Sequence, residues 1–345
     1  MKEFKFMLSG TAPENWPTET FFGILNCEDH TALEILKMYP FRGDWGKPTD
    51  SNISIRDSFP MPIKVDMVWL SICEQCFYSV EHDLDKNTME IKWQEQEDRS
   101  SEQSFQYVIV GMAPFGHLAL WFYCDRKSVL IDWIKAEKVN VEIFDFLPES
   151  PSTQLDQYCY NYIKELQLPS LPPSNLFDNY MKQFTYRYQM AFGYWNEEKE
   201  EWRKYDVEEV NLMPEFDYIE EALFDGTHDK LHDGGLMNYH QAGKPKKLAV
   251  QWHIKKSEYT AYFWFEDEEI RAIYDRFYRT HPETKTDFMI RIDSEKNKYE
   301  LALYRYGLKE PQVISESVYQ LLVFKNKFEY YRSENYNQSR GAWIW

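Results

Sequence analysis

Three histidines, His228, His232 and His240, share the stretch THDKLHDGGLMNYH with Asp225, Asp229 and Asp233 close by. On a helix, His228 and His232 would fall on one face, and zinc takes three or four such converging ligands. However, Gly226, Gly234 and Gly235 bracket the segment, and Asp229 stands where an HExxH metalloprotease needs glutamate. The stretch therefore reads as a polar loop between a helix and a strand, and no metal ligand is assigned from it. Cys73 and Cys76 have CxxC spacing, but no second ligand pair occurs elsewhere. They sit inside WLSICEQCFYSVEHDL, which reads as strand, tight turn, strand, not as the helix start a redox pair needs. Neither a GxSxG elbow nor a glycine-rich phosphate loop is present. The paired glutamates, such as Glu197-Glu198 and Glu200-Glu201, read as solvated faces. These motifs assign no catalytic, cofactor-binding or metal residue.

A different chemistry is written in residues 194–205, YWNEEKEEWRKY, where large rings alternate with carboxylates. Interface anchors are typically Trp, Tyr and Arg set in a rim of charge. The stretch is expected to form an exposed hairpin, with Trp195, Glu198, Glu201 and Trp202 as partner-binding residues. The chain also ends on Trp343-Ile344-Trp345, which should pack onto the domain as a closing strand or lie in a partner groove.

The elements around these residues suggest two domains. Prolines concentrate in residues 168–174 (LPSLPPS), an extended connector that follows a helix whose Leu155, Tyr158, Tyr162, Ile163 and Leu166 have helical spacing. The cut gives domains 1–172 and 173–345. Four segments recur in the same order on either side of it. Pro62 to Trp69 resembles Pro245 to Trp252, and Phe22 to Asn26 resembles Phe192 to Asn196. Residues 107–110 resemble 288–291, and 118–123 resemble 301–306. An internal duplication accounts for that order. Each copy reads as a Phe-Gly strand, a strand ending in Trp69 or Trp252, an aromatic strand, a short helix and two more strands. The second copy carries an inserted helix over residues 207–226, with Pro214 in its first turn and Phe216, Ile219, Leu223 and Phe224 behind it. The expected fold is thus α+β: two tandem β-rich units of antiparallel sheet, each with a flanking helix, related by duplication.

Composition bounds the function. The 345 residues carry a net charge of −18, which argues against a protein built to hold nucleic-acid phosphate. Aromatics make up 17 %, favouring pleated, half-buried surfaces. The N-terminus MKEFKFMLSG lacks an apolar signal core, and no apolar run approaches the about 20 residues of a bilayer span. Five cysteines are too few and too scattered for a disulfide framework. A soluble, cytoplasmic protein is expected.

The first half resembles a bacterial family, "domain of unknown function 2931". The residues are Phe4-Lys5-Phe6, Ala12 to Pro17, Gly23, Trp45-Gly46, the Pro62 to Ser71 strand, Glu74, Phe77-Tyr78-Ser79, and Val108 to Gly116 with the strand after it. The second half keeps the Pro-to-Trp strand and loses the Gly-x-Ala-Pro-x-Gly turn. The resemblance brings no established activity. Its members that lie beside secreted antibacterial effectors imply an immunity role. The expectation is therefore a non-catalytic, cytoplasmic protein-binding module that neutralises a secreted, type VI-like toxin by occlusion. Its partner would be a protein with a basic surface, steered by the acidic charge. No cofactor, nucleic acid or membrane is expected. The alternatives are a structural or assembly protein, and an enzyme using the His228 and His232 region.

Overall fold

The structure is a computed structural model. It describes residues 2–35, 40–49, 58–97, 104–125, 127–150, 152–196, 201–204, 215–232, 238–293, 298–305 and 311–337. It is mostly β-sheet with few helices. Contacts divide the chain into two units, Met1–Met181 with Asp225–Thr227, and Lys182–Phe224 with His228–Trp345.

The first unit contains β1 (Met7–Thr11), β2 (Thr18–Cys27), β3 (Ala32–Glu34), β4 (Pro62–Ser71), β5 (Cys76–Asp83), β6 (Tyr107–Ala113), β7 (His117–Cys124), β8 (Lys127–Lys135) and β9 (Glu137–Val139). Its helices are α1 (Lys86–Glu97), α2 (Ile143–Phe146), α3 (Leu155–Glu165) and α4 (Leu176–Tyr180). One sheet runs β1-β6-β7-β8, with β1 parallel to β6 and the other pairs antiparallel. The other runs β3-β2-β4-β5-β9 and is antiparallel throughout. Alternation explains the core between them. Val65, Met67 and Trp69 of β4 pack with Val108, Val110 and Met112 of β6, and Trp93 of α1 closes one end. The outer faces are covered too: α2 and α3 lie over Leu70, Ile72 and Phe77, while Trp45 and Phe177 lie over Ala113, Ala119 and Trp121. Burial on both faces is why β7, HLALWFYC, is a continuous apolar run.

The second unit contains β10 (Phe184–Asn196), β11 (Glu201–Lys204), β12 (Glu215–Leu223), β13 (His228–His232), β14 (His240–Ala242), β15 (Pro245–Ile254), β16 (Ser257–Phe265), β17 (Thr286–Asp293), β18 (Lys298–Arg305), β19 (Gln312–Ile314), β20 (Tyr319–Lys325) and β21 (Phe328–Arg332). Its helix α5 (Asp267–Tyr278) buries Ile270, Ile273, Tyr274 and Phe277, the face that the helical spacing indicates. One sheet runs β10-β17-β18-β19, with β10 parallel to β17, and β10 also pairs with β11 and β14. The other runs β13-β12-β15-β16-β20-β21, antiparallel throughout. Phe192 against Trp252 (6.3 Å) and Phe265 against Phe288 (6.3 Å) join the two sheets through their inner faces.

Three expectations are corrected. The sheets are not purely antiparallel, because β1–β6 and β10–β17 are parallel pairs. The helix expected over residues 207–226 is strand β12 from Glu215 to Leu223, and the residues before it lie outside the described ones. Phe216, Ile219 and Leu223 imitate helical spacing because Glu221, polar in the sequence, is a buried member of the period-2 face Ile219, Glu221, Leu223. Finally, the similar segments at Phe22 and Phe192 lie on unlike strands: β2 pairs antiparallel with β4, whereas β10 runs parallel to β17.

Candidate functional site

The family-like residues of the first unit converge on one carboxylate. Glu74 stands in the turn between β4 and β5, and its Oε2 accepts hydrogen bonds from Ser71 Oγ at 2.9 Å and from the Phe115 backbone N–H at 2.7 Å. The Tyr78 hydroxyl donates to its Oε1 at 2.7 Å. Burial and this carboxylate push the Tyr78 phenol well above its usual range, so it stays a donor. The β6–β7 turn that Glu74 holds is shaped by Phe115 and Gly116, both at positive φ. A Cβ at Gly116 would stand 2.7 Å from the Ala136 carbonyl and 2.8 Å from the Tyr78 ring, which requires glycine there. Gly111 is required for a different reason: a Cβ would meet the Trp121 ring at 2.5 Å and Trp45 at 2.8 Å.

Beside this turn lies His117, fully buried. It stacks on Trp133 with centroids 4.6 Å apart, and its Nε2 is 2.8 Å from Lys135 Nζ, its register partner across β7 and β8. Asp178 of α4 is 3.6 Å from the same nitrogen. Burial and the Lys135 charge outweigh Asp178 and hold the imidazole pKa down, at about 4. The ring is therefore neutral near pH 7 and accepts at Nε2. This is a joint between a sheet and α4, closed to substrate.

The second unit carries the open feature, a depression of about 660 Å³ lined by Phe216, Asp217, Tyr218, His232, His253 and Glu258 among others. A β-bulge between Phe216 and Tyr218 inserts Asp217 into the strand and places it beside β15. His253 Nδ1 is 3.1 Å from Asp217 Oδ1, and its Nε2 is 2.9 Å from Glu215 Oε2. Burial works against the proton, but the hydrogen bond to Glu215 and the Asp217 charge prevail, so the pKa is raised. Both imidazole nitrogens thus face carboxylates. The depression can bind polar and aromatic groups of a guest at a surface. Among the described residues, no group of three or more His, Cys, Asp or Glu is placed to hold a metal ion.

The residues singled out from the sequence fall in several places. Trp195 and Trp202 are register partners on β10 and β11, and Glu201 is opposite Asn196; Glu198 lies outside the described residues. The histidines themselves are on strands and not in a loop: His228 and His232 belong to β13, and His240 opens β14, while residues 233–237 lie outside the described ones. His228 is buried, whereas exposed His232 lines the depression. Cys73 and Cys76 flank the β4–β5 turn as expected, and burial raises both thiol pKa values, Cys73 to about 11. The terminal Trp343 and Trp345 lie outside the described residues. Sequence reading missed Asp217 with His253, and also His117, because a bulge and a cross-strand pair join them over distances that no local motif records. No helix among the described residues is long and apolar enough to cross a membrane.

No curated protein and no solved structure matches the chain. A family model described as "Protein of unknown function (DUF2931)" matches residues 1–170, the segment in which Glu74, Tyr78, Gly111 and Gly116 make their contacts. The first half of this chain thus belongs to the DUF2931 family, and the matched segment contains the Glu74 brace between two turns.

Proposed function

We propose that this protein is a non-catalytic protein-binding module, a cytoplasmic immunity protein that neutralises a bacterial secreted toxin by occlusion. The observation that supports this reading is the β10–β11 ribbon. Among the described residues, β17 pairs with β10 as far as Phe192, while residues 193–196 pair with β11. The sheet therefore extends as a two-stranded ribbon formed by residues 193–196 and 201–204, in which Trp195 and Trp202 are cross-strand partners. A chain of net charge −18 would steer a basic partner to it. Aromatic anchors in a charged rim are what a protein interface needs.

The internal duplication belongs to the same proposal. In each unit a parallel first strand, β1 or β10, flanks an antiparallel pair, β6–β7 or β17–β18. In each, a β4–β5 or β15–β16 hairpin with a buried Trp is followed by one helix. These parallels support descent of both halves from one unit, and two units offer a partner two faces.

A second reading is an enzyme. The Asp217–His253 contact in an open depression beside His232 favours it, in place of the His228–His232 pair. The experiment that separates the two is co-expression of the full chain with a neighbouring gene whose product is toxic when expressed alone. Growth rescue and a one-to-one complex are expected. Both should be lost on replacing Trp195 and Trp202 with Ala and Glu198 and Glu201 with Gln, and association should slow as salt rises. If this variant protects fully while His232→Gln with His253→Gln does not, the binding-module reading fails.

A further inference from the structure

Glu221 is a charged residue in the interior of the second unit, with 3 % exposure. Such a group is costly unless its oxygens are satisfied. Its Oε2 accepts from the Tyr188 hydroxyl at 2.5 Å, and the Tyr186 hydroxyl is 3.4 Å away while donating to the Gly243 carbonyl at 3.0 Å. Its Oε1 faces His240 Nε2 at 3.7 Å, near enough for charge pairing and longer than a hydrogen bond. The rings of Tyr186 and Tyr188 flank the imidazole, with centroids at 5.2 and 6.4 Å. Tyr274 of α5 completes the interior, its buried hydroxyl without a hydrogen-bond partner among the described residues.

His240 is also the first residue of a very short strand. β14 is held on β10 by three register pairs, Phe184 with Ala242, Thr185 with Gln241, and Tyr186 with His240. Three pairs are few, and a strand this short depends on its side chains for a fixed position. The neighbouring Tyr239 is tied separately, its hydroxyl donating to Asp287 at 2.9 Å and its ring lying under Arg187 at 4.6 Å.

We propose that His240 and Glu221 form a pH-gated latch that holds β14 on β10 while the imidazole carries its proton. The charged and titratable groups facing His240 are Glu221 of β12, Asp229 of β13, and Tyr186 and Tyr188 of β10. Burial drives Tyr186 and Tyr188 well above their usual range, so they remain neutral donors throughout. Burial also opposes a proton on His240, but the Glu221 carboxylate 3.7 Å away prevails and the pKa is raised from 6.5. The sign follows: the latch is complete below pH 6.5 and is lost as pH rises through the folded-state value. Once the proton leaves, Glu221 retains its tyrosines and β14 loses its charge tether.

Hydrogen-exchange mass spectrometry of the full chain tests this at about pH 6 and about pH 8, with rates corrected for the intrinsic pH dependence of exchange. Peptides spanning 240–242 should lose protection several-fold at the higher pH, while peptides from β17 and β18 should not change. His240→Gln keeps a part-exposed polar side chain and should give a pH-independent profile, as should Glu221→Gln if it folds. The latch is overturned if wild-type protection at 240–242 is the same at both pH values, or if His240→Gln retains the full pH response.

Discussion

In the first unit, Trp69 and Tyr78 pair across β4 and β5 with ring centroids 5.7 Å apart, and the Tyr78 hydroxyl is held by Glu74. In the second, Trp252 and Tyr259 pair across β15 and β16 at 5.4 Å, but the support comes from Lys325 over the Tyr259 ring at 5.2 Å and from Tyr330 of β21 at 5.8 Å. Both tryptophans are fully buried, and each indole N–H lacks a hydrogen-bond partner among the described residues. The apolar anchor depends only on strand alternation, so it recurs wherever the hairpin recurs. The polar brace depends on turns and edges, which differ between the units: one is a carboxylate inside a turn, the other a cation and a ring on an added strand.

The largest effect that could break this comparison is loss of either anchor. Trp69→Ala and Trp252→Ala should each destabilise their unit by about 3–5 kcal/mol, read as separate melting transitions. If one leaves melting unchanged, the two positions are not comparable. Next comes the brace. Glu74→Ala strands the Phe115 N–H and the Tyr78 hydroxyl and should cost about 2–3 kcal/mol in the first unit. Lys325→Ala, at the half-buried end of β20, should stay within about 1 kcal/mol. Equal costs would remove the distinction between a buried and a surface brace.

The two histidines sharpen the comparison through pH. An unfolded His117 takes up its proton near pH 6.5, but the folded one resists until about pH 4. Between those values the unfolded chain binds more protons, so the first unit loses on the order of 3 kcal/mol as pH falls. His117→Gln should flatten that slope in a denaturant titration. His240 has the opposite sign, its contribution disappearing as pH rises above 6.5. The smallest effect concerns thiols, all five of which belong to the first unit. Burial raises Cys73 to about 11 and Cys159 to about 12, so thiolate is scarce at pH 7. Iodoacetamide should label the folded chain far more slowly than the urea-unfolded chain. Rapid labelling at Cys73 or Cys76 would reopen a reactive role for the pair.

Much of the fold was legible where one period dominated. α5 shows its buried face at steps of 3, 4 and 7, and β4 and β15 show alternation up to their tryptophans. Legibility failed where a polar residue occupied an apolar slot. Glu221 broke the alternation of β12 and let a helix be read through it. The histidine stretch misled in the same way, since glycines and charges mark both loops and short paired strands.

By itself, the sequence determined the β-rich character, the buried hairpin tryptophans and the membership of the first half in its family. These depend on residues near one another in the chain, or on local spacing. Tertiary structure alone decided that β1 and β10 run parallel to β6 and β17. It also decided that Glu74 reaches the Phe115 N–H, that Asp217 meets His253 through a bulge, and that Glu221 lies beside His240. Each of these joins segments separated in sequence, and their pairing is fixed by register and burial. A carboxylate in a strand carries no local sign of whether it will face water or the protein interior.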